Sequence, residues 1–303
     1  MIAVLGGTLA ALCWAVASLA ASRAARALGA RVVLAWVMLV GLVLAIPLVA
    51  ATGIPALDGT AYILLAVSGL GNVLGLLLAY TAFSRGKVGV VAPIISTEGA
   101  LAALVAVALG EPMEFGVALA LAAIAGGVVL ASRDGTGGGE AGDGYVPVAA
   151  AEPAIVPEVM TGHRSDDRRA ALVAIASALS FGVALYATGR IGAELTIGLT
   201  VLPSRLAGAL LVALPLAAGR RLRATRPTVP LLLLIGCLEV VGVLGIAVGS
   251  TDAIAVTAVV SSQFAGLAAL LAFLVFGERL RPTQILGVGV IALGVAAVAL
   301  LRA

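Results

Sequence analysis

Three ionisable side chains stand in stretches of this chain that are otherwise apolar: Glu98, Arg205 and Glu239. A lone carboxylate such as Glu98 can hold a substrate ammonium, or take up and release a proton in turn during a cycle; as a neutral acid bonded to a neighbouring helix it would do neither. Glu239 and Arg205 fall on adjacent segments of one hairpin and can line a site or neutralise each other, because a paired buried charge is tolerated where a lone one is not. Asn72, Ser96, Thr97, Ser261, Ser262 and Gln263 add hydrogen-bonding capacity at a similar depth. Such groups also bond across helices as simple adhesive, worth roughly 0.6 to 2 kcal/mol each. Trp14, Tyr80 and Tyr186 could stack on a solute, or pack and anchor. The candidate binding set is Glu98, Glu239, Asn72, Gln263, Arg205, Trp14 and Tyr186.

Catalytic patterns are absent from the sequence. One histidine, His163, no cluster of His, Cys or paired acidic metal ligands, and a glycine-rich Gly135–Gly144 without the Lys-Ser/Thr of a phosphate loop leave little for hydrolysis, redox chemistry or ATP-driven pumping. No enzyme activity, cofactor or metal is expected. Glu111 and Glu278 look like a matched carboxylate pair, but each ends a segment at a loop on opposite sides of the predicted arrangement. Capping the next helix start through its backbone N–H groups suits them better.

The elements that must position these residues follow from composition. The chain of 303 residues is 62% hydrophobic and 11% charged, with a mean hydropathy of +1.21; a soluble domain is nearer a quarter charged. This is the composition of a polytopic membrane protein. About 20 apolar residues cross a hydrocarbon core of about 30 Å. Ten spans result, at about 2–21, 31–51, 60–83, 88–110, 114–132, 169–189, 197–218, 229–250, 254–276 and 282–301. The first is read as a retained helix, not a cleaved leader. Cys13 and Cys237 lie inside apolar runs and read as buried, inert thiols. The net charge of +3 resides in short loops, where it sets topology, so nucleic acid is not an expected partner.

Residues 133–167, with GTGGGEAGDG, three prolines and nearly half of the acidic residues, form a flexible linker between two halves, 1–132 and 168–303. The halves align without a gap at an offset of 167. Gly110-Glu111 falls on Gly277-Glu278, Gly75 on Gly242, Asn72 on Glu239 and Ala11-Leu12 on Ala178-Leu179. Five spans per half is odd, so the repeats cross the membrane in opposite senses, the inverted arrangement of secondary transporters. Almost all basic residues then fall on one side, with Arg190 and Arg302 opposite. The positive-inside rule makes the crowded side cytoplasmic and puts the linker inside and both termini outside.

Ala11-Leu12-Cys13-Trp14, Tyr80-Thr81-Ala82-Phe83 followed by Val91-Ala92-Pro93, and the two Gly-Glu hinges resemble the EamA-type ten-helix carriers of the drug/metabolite transporter superfamily. The resemblance covers nearly the whole chain apart from the linker. It departs at Phe181, where the first repeat has Trp14, at Val260, where it has Pro93, and at Arg205, since an arginine often found in the second helix of a repeat occurs here only in the second one. It implies an all-α integral membrane fold of two inverted five-helix repeats. It also implies a secondary carrier of small organic metabolites working by alternating access, often an exporter of amino acids or related compounds. From the residues themselves, the carrier is expected to move a small polar solute in a bacterial-type inner membrane and to couple to H+ through Glu98. The rival reading is a non-transporting scaffold or an accessory subunit of a lipid-modifying complex. The expected surroundings are a small-molecule substrate and the lipid bilayer, with a homodimer left open. The cavity is expected among spans 1, 3, 4, 6, 8 and 9.

Overall fold

A computed structural model describes residues 1–86, 88–131 and 163–264, and beyond these only 266–268, 271, 286–287, 289–290, 293–294, 297 and 301. Among the described residues the chain is helical and has no strand. The elements are α1 (Ile2–Leu28), α2 (Ala30–Thr52), α3 (Gly59–Arg85), α4 (Val88–Ile95), α5 (Glu98–Ala108), α6 (Phe115–Ala131), α7 (His163–Glu194), α8 (Gly198–Gly208), α9 (Leu214–Ala218), α10 (Val229–Ser250) and α11 (Ile254–Ser261). A single π-helical turn, Ala209–Ala213, joins α8 to α9. Six of these runs are long and apolar enough to cross a membrane: α1, α2, α3, α7 from Arg169, the α8–α9 run and α10. The protein is a multi-pass membrane protein.

Sequence decides locally where several helices stop. Asp58 caps α3 by accepting the Ala61 N–H at 2.7 Å. Gly110, at φ +100°, takes the left-handed conformation that ends α5, one that a side chain would strain. The boundary expected at residue 168 falls later than the helix does, because α7 already begins at His163. Most of the tenth span, Glu278 and most of the linker lie outside the described residues.

Two expected spans are not continuous. The fourth breaks at Ser96-Thr97 into α4 and α5, and the ninth leaves α-helical geometry at Ser262-Gln263. At the first break the Thr97 hydroxyl donates to the Ile94 carbonyl at 2.7 Å, and the Thr97 N–H turns to the same carbonyl. At the second, the Ser262 hydroxyl and the Gln263 amide both donate to the Val259 carbonyl at 2.8 Å. Local side-chain donors that take carbonyls from the helix ladder tighten or bend the turn. The two breaks are therefore built from different residues.

Packing pairs the helices antiparallel. The most extensive contacts are α1 along α10 and α3 along α7, and α2 crosses α8. Small residues let the backbones meet. A Cβ on Gly6 would lie 2.3 Å from the Gly245 carbonyl oxygen, and one on Gly71 would lie 3.0 Å from the Ala184 Cβ. Hydroxyls bind the second interface: Ser177 and Ser180 each donate at 2.9 Å to the carbonyls of Gly75 and Gly71. The Ser68 and Thr188 hydroxyls meet at 2.7 Å. Outward faces are large and apolar, as in the stripe Leu5, Leu9, Leu12 and Val16 of α1. This inside-small, outside-large pattern suits lipid, where the partner of a leucine is an acyl chain and helix association rests on close packing. Cys13 is buried as expected, but Cys237 is exposed on α10, because its position turns away from α1.

One close approach has a direct test. A Cβ on Gly99 would lie 2.4 Å from the Ala258 carbonyl oxygen and 2.5 Å from the Ser262 hydroxyl, where α5 crosses the end of α11. Overpacking of this kind costs about 1–3 kcal/mol. Gly99→Val is expected to lower the thermal midpoint of the detergent-purified protein, whereas Gly126→Val, with nothing within 4 Å of its Cβ position, is expected to leave it in place.

Candidate functional site

The breaks bring Glu98 into the middle of the bundle. It is the first residue of α5, immediately after the turn at Ser96-Thr97, so its carboxyl belongs to a helix N-terminus inside the protein, and it is 5% exposed. Free N–H groups and the helix dipole favour negative charge at such an end. α1, α3, α7 and α10 surround it, and together these elements line a cavity of about 70 Å³. A water needs roughly 10–15 Å³ measured in this way, so several waters or a small head group fit.

The cavity is lined by Trp14 and Ser18 of α1, Asn72 and Tyr80 of α3, Glu98, Phe181 and Thr188 of α7, Glu239 of α10, and Phe264 after α11. Every one of the spans expected to line it contributes. Of the candidate residues, Glu98, Glu239, Asn72 and Trp14 meet here. Three polar atoms of the lining are buried without a hydrogen bond: the Trp14 indole N–H, the Asn72 Oδ1 and the Tyr80 hydroxyl. Buried groups of this kind are ordinarily satisfied, and those that are not mark sites with work for them to do.

Arg205 lies behind the wall and does not line the cavity. It is fully buried, with its Nη2 3.9 Å from the Glu239 Oε2 and its Nη1 3.7 Å from the Met38 sulfur. At 3.9 Å the ion pair is Coulombic and not a hydrogen bond. Of the two readings open to Glu239 and Arg205, both hold for Glu239, which pairs with the guanidinium and also faces the cavity. Gln263 is buried in the second break, with its Nε2 on the Val259 carbonyl and its Oε1 unbonded, beside the lining but not in it.

Tyr186 is elsewhere. It points from α7 into a second, more polar pocket of about 320 Å³, shared with Glu111, Arg190, Ser250 and Asp252 near the ends of α5 and α10. Its hydroxyl accepts from the Arg190 Nη1 at 2.9 Å, and Arg190 also pairs with Glu194. Helical periodicity decides this: Leu185 and Thr188 of the same helix face the cavity, and Tyr186 is rotated away from them. Glu111 does cap a helix, though not the next one. Both its oxygens accept the Ala255 N–H at 3.2 Å, so it holds the start of α11 from the other half of the chain.

Sequence reasoning left Ser18, Phe181, Thr188 and Phe264 off the candidate set. For Phe181 a signal existed, because it occupies the repeat position of Trp14. The two rings are seated alike. A Cβ on Gly242 would lie 2.5 Å from the Trp14 Nε1, and one on Gly75 would lie 2.5 Å from the Phe181 Cδ1. Each ring rests on a glycine of the facing helix, and the glycines are also 167 apart.

A comparison with protein families fits this geometry. Residues 1–133 match the EamA-like transporter family. The match is consistent with the drug/metabolite transporter superfamily and indicates a membrane transporter; members of the EamA family are transporters and not enzymes. No curated protein matches the sequence. One solved crystal structure aligns with a TM-score of 0.72 over 99% of this chain and 97% of its own, at 18% identity, a likeness of fold alone.

Proposed function

We infer that this EamA-like chain is a secondary active transporter that moves a small polar organic solute, outward, by alternating access through the central cavity. The observation that carries this reading is the central cavity beside the crossing of two broken helices, with two carboxylates on its wall. Discontinuous helices meeting near the middle of a bundle are how transporters place polar groups and helix ends at a binding site within a membrane.

The inverted ten-helix repeat is part of the same reading, and the packing supports it. Rotating one half onto the other exchanges α1 with α7 and α3 with α10, which turns the α1–α10 interface into the α7–α3 interface, and these are the two largest interfaces in the bundle. At the α2–α8 crossing, a Cβ on Gly41 would meet Arg205 and one on Gly208 would meet Met38. All four positions pair off at an offset of 167. A central site between two such halves is reached from either side by rocking one half against the other.

Among the described residues, Arg23, Arg26, Arg31, Arg85, Arg169 and the Arg220–Arg226 cluster occur where α1 and α3 end and α7 and α10 begin, with Arg190 at the opposite end. That distribution supports a basic, cytoplasmic end in an inner membrane, both termini outside and residues 133–162 inside. A reporter fused after residue 303 is expected to be active only outside the cytoplasm; activity inside would reverse the orientation or change the span count. Transport itself is tested by flux into proteoliposomes from a panel of amino acids, sugars, purines and quaternary amines. Movement of at least one class down or against a gradient is expected. No flux of any class, with a fixed protein partner retained through purification, would favour a scaffold or an accessory subunit.

A further inference from the structure

We propose that the central cavity takes a small monovalent organic cation, its charged head held against Glu98 and Glu239 between the rings of Trp14 and Phe181. This deepens the transporter reading and rests on it only for the word substrate; the binding claim stands separately. The first argument is charge. Two carboxylates line the cavity and, among the described residues, no cationic side chain does. Arg205 sits outside the lining, 3.9 Å from Glu239. It serves Glu239 and leaves Glu98 without a basic side chain in the described lining, so a positive charge on the solute would be matched there. An anion would meet two carboxyl groups and no cation in this low-dielectric space, where like charges are strongly opposed.

The second argument separates an organic cation from a metal ion. Beyond the carboxylates the walls are apolar and aromatic, with Leu76, Ile95 and Val243 beside the rings. A small inorganic cation must exchange its water for a shell of oxygens, which these walls do not provide. An alkylammonium head carries its charge on carbon-bound surface and is attracted by ring faces, most strongly by that of tryptophan. The unbonded Asn72 Oδ1 and Tyr80 hydroxyl can serve as acceptors for an ammonium N–H. The third argument is construction. Trp14 and Phe181 come from helices in different halves of the chain, and each lies on a glycine, Gly242 or Gly75, that brings its ring to the cavity wall. Both rings line the same cavity as the two carboxylates.

The test is equilibrium binding of radiolabelled tetramethylammonium to the full-length protein in detergent, with tert-butanol as a neutral competitor of similar shape. Saturable binding that tert-butanol does not displace is expected. Glu98→Gln is expected to weaken it about tenfold or more. Trp14→Leu is expected to weaken it about fivefold and Trp14→Phe, which keeps a ring, by much less. Should Glu98→Gln fail to fold, the Trp14 pair still decides. Displacement by tert-butanol, unchanged affinity in Glu98→Gln, or equal affinity in Trp14→Leu and Trp14→Phe would overturn the proposal. Failure here is distinguishable from failure of transport. Proteoliposomes that move an uncharged or anionic solute without binding tetramethylammonium would keep the transporter and discard the cation. Tight binding with no flux of any solute would do the reverse.

Discussion

Replacing Glu98 with glutamine is expected to abolish pH-gradient-driven uptake into proteoliposomes, by about tenfold or more, while the purified protein keeps its thermal midpoint. A tenfold loss corresponds to about 1.4 kcal/mol, less than the cost of a single charge placed at the bilayer centre, so the effect does not require an unusual role. Glutamine retains the shape and hydrogen-bonding ends of the side chain but cannot exchange a proton. Glu98 begins α5 beside the break, borders the cavity with Glu239, and is 5% exposed. Proton uptake at that carboxyl would remove one negative charge from a wall that has two, and release would restore it. If uptake driven by a pH gradient proceeds at the wild-type rate in Glu98→Gln, proton coupling through this residue is wrong, and Glu239 is the next carboxylate to examine.

Arg205→Met is expected to destabilise the protein by about 3–5 kcal/mol, the usual cost of removing one partner from a buried ion pair. The guanidinium is fully buried, and its Nη2 is the cation nearest Glu239. The remedy is written in the first half of the chain, where Met38 and Asn72 occupy the positions of Arg205 and Glu239. Arg205→Met combined with Glu239→Asn copies that uncharged solution into the second half and is expected to recover most of the lost stability. Denaturant unfolding in micelles measures both. A double variant no more stable than Arg205→Met alone would show that the two side chains are not energetically coupled. Because Glu239 also lines the cavity, the double variant is expected to fold yet to transport poorly, which separates the structural share of the pair from its functional one.

Much of this molecule was legible from residue order. The apolar runs and the short basic loops led to a membrane-spanning helical chain. They also led to the spans that enclose the cavity, because burial of ionisable groups in apolar segments is too costly to occur away from an interior site. The breaks at Ser96-Thr97 and Ser262-Gln263 were not read. Neither contains a glycine, and their cause is side-chain donors turning back onto carbonyls three or four residues away, a choice the backbone makes only in context. Tyr186 lies away from the central cavity for a related reason: composition places a residue on a helix, but only the packed rotation of that helix decides which side it faces.

By itself the sequence determined the chemistry available to this protein: two carboxylates, one buried guanidinium, a few rings, and a membrane around them. The tertiary structure alone decided how that chemistry is shared out. It set Arg205 behind Glu239 and away from the cavity, left Glu98 without a basic side chain among the described residues of the shared lining, and sent Glu111 across to hold the start of α11. These outcomes depend on close approach between backbones at Gly41, Gly75, Gly208 and Gly242. Helix–helix distance there is set by the absence of a side chain on one partner and the shape of the residue on the other, and those two are 106 to 228 residues apart in the chain.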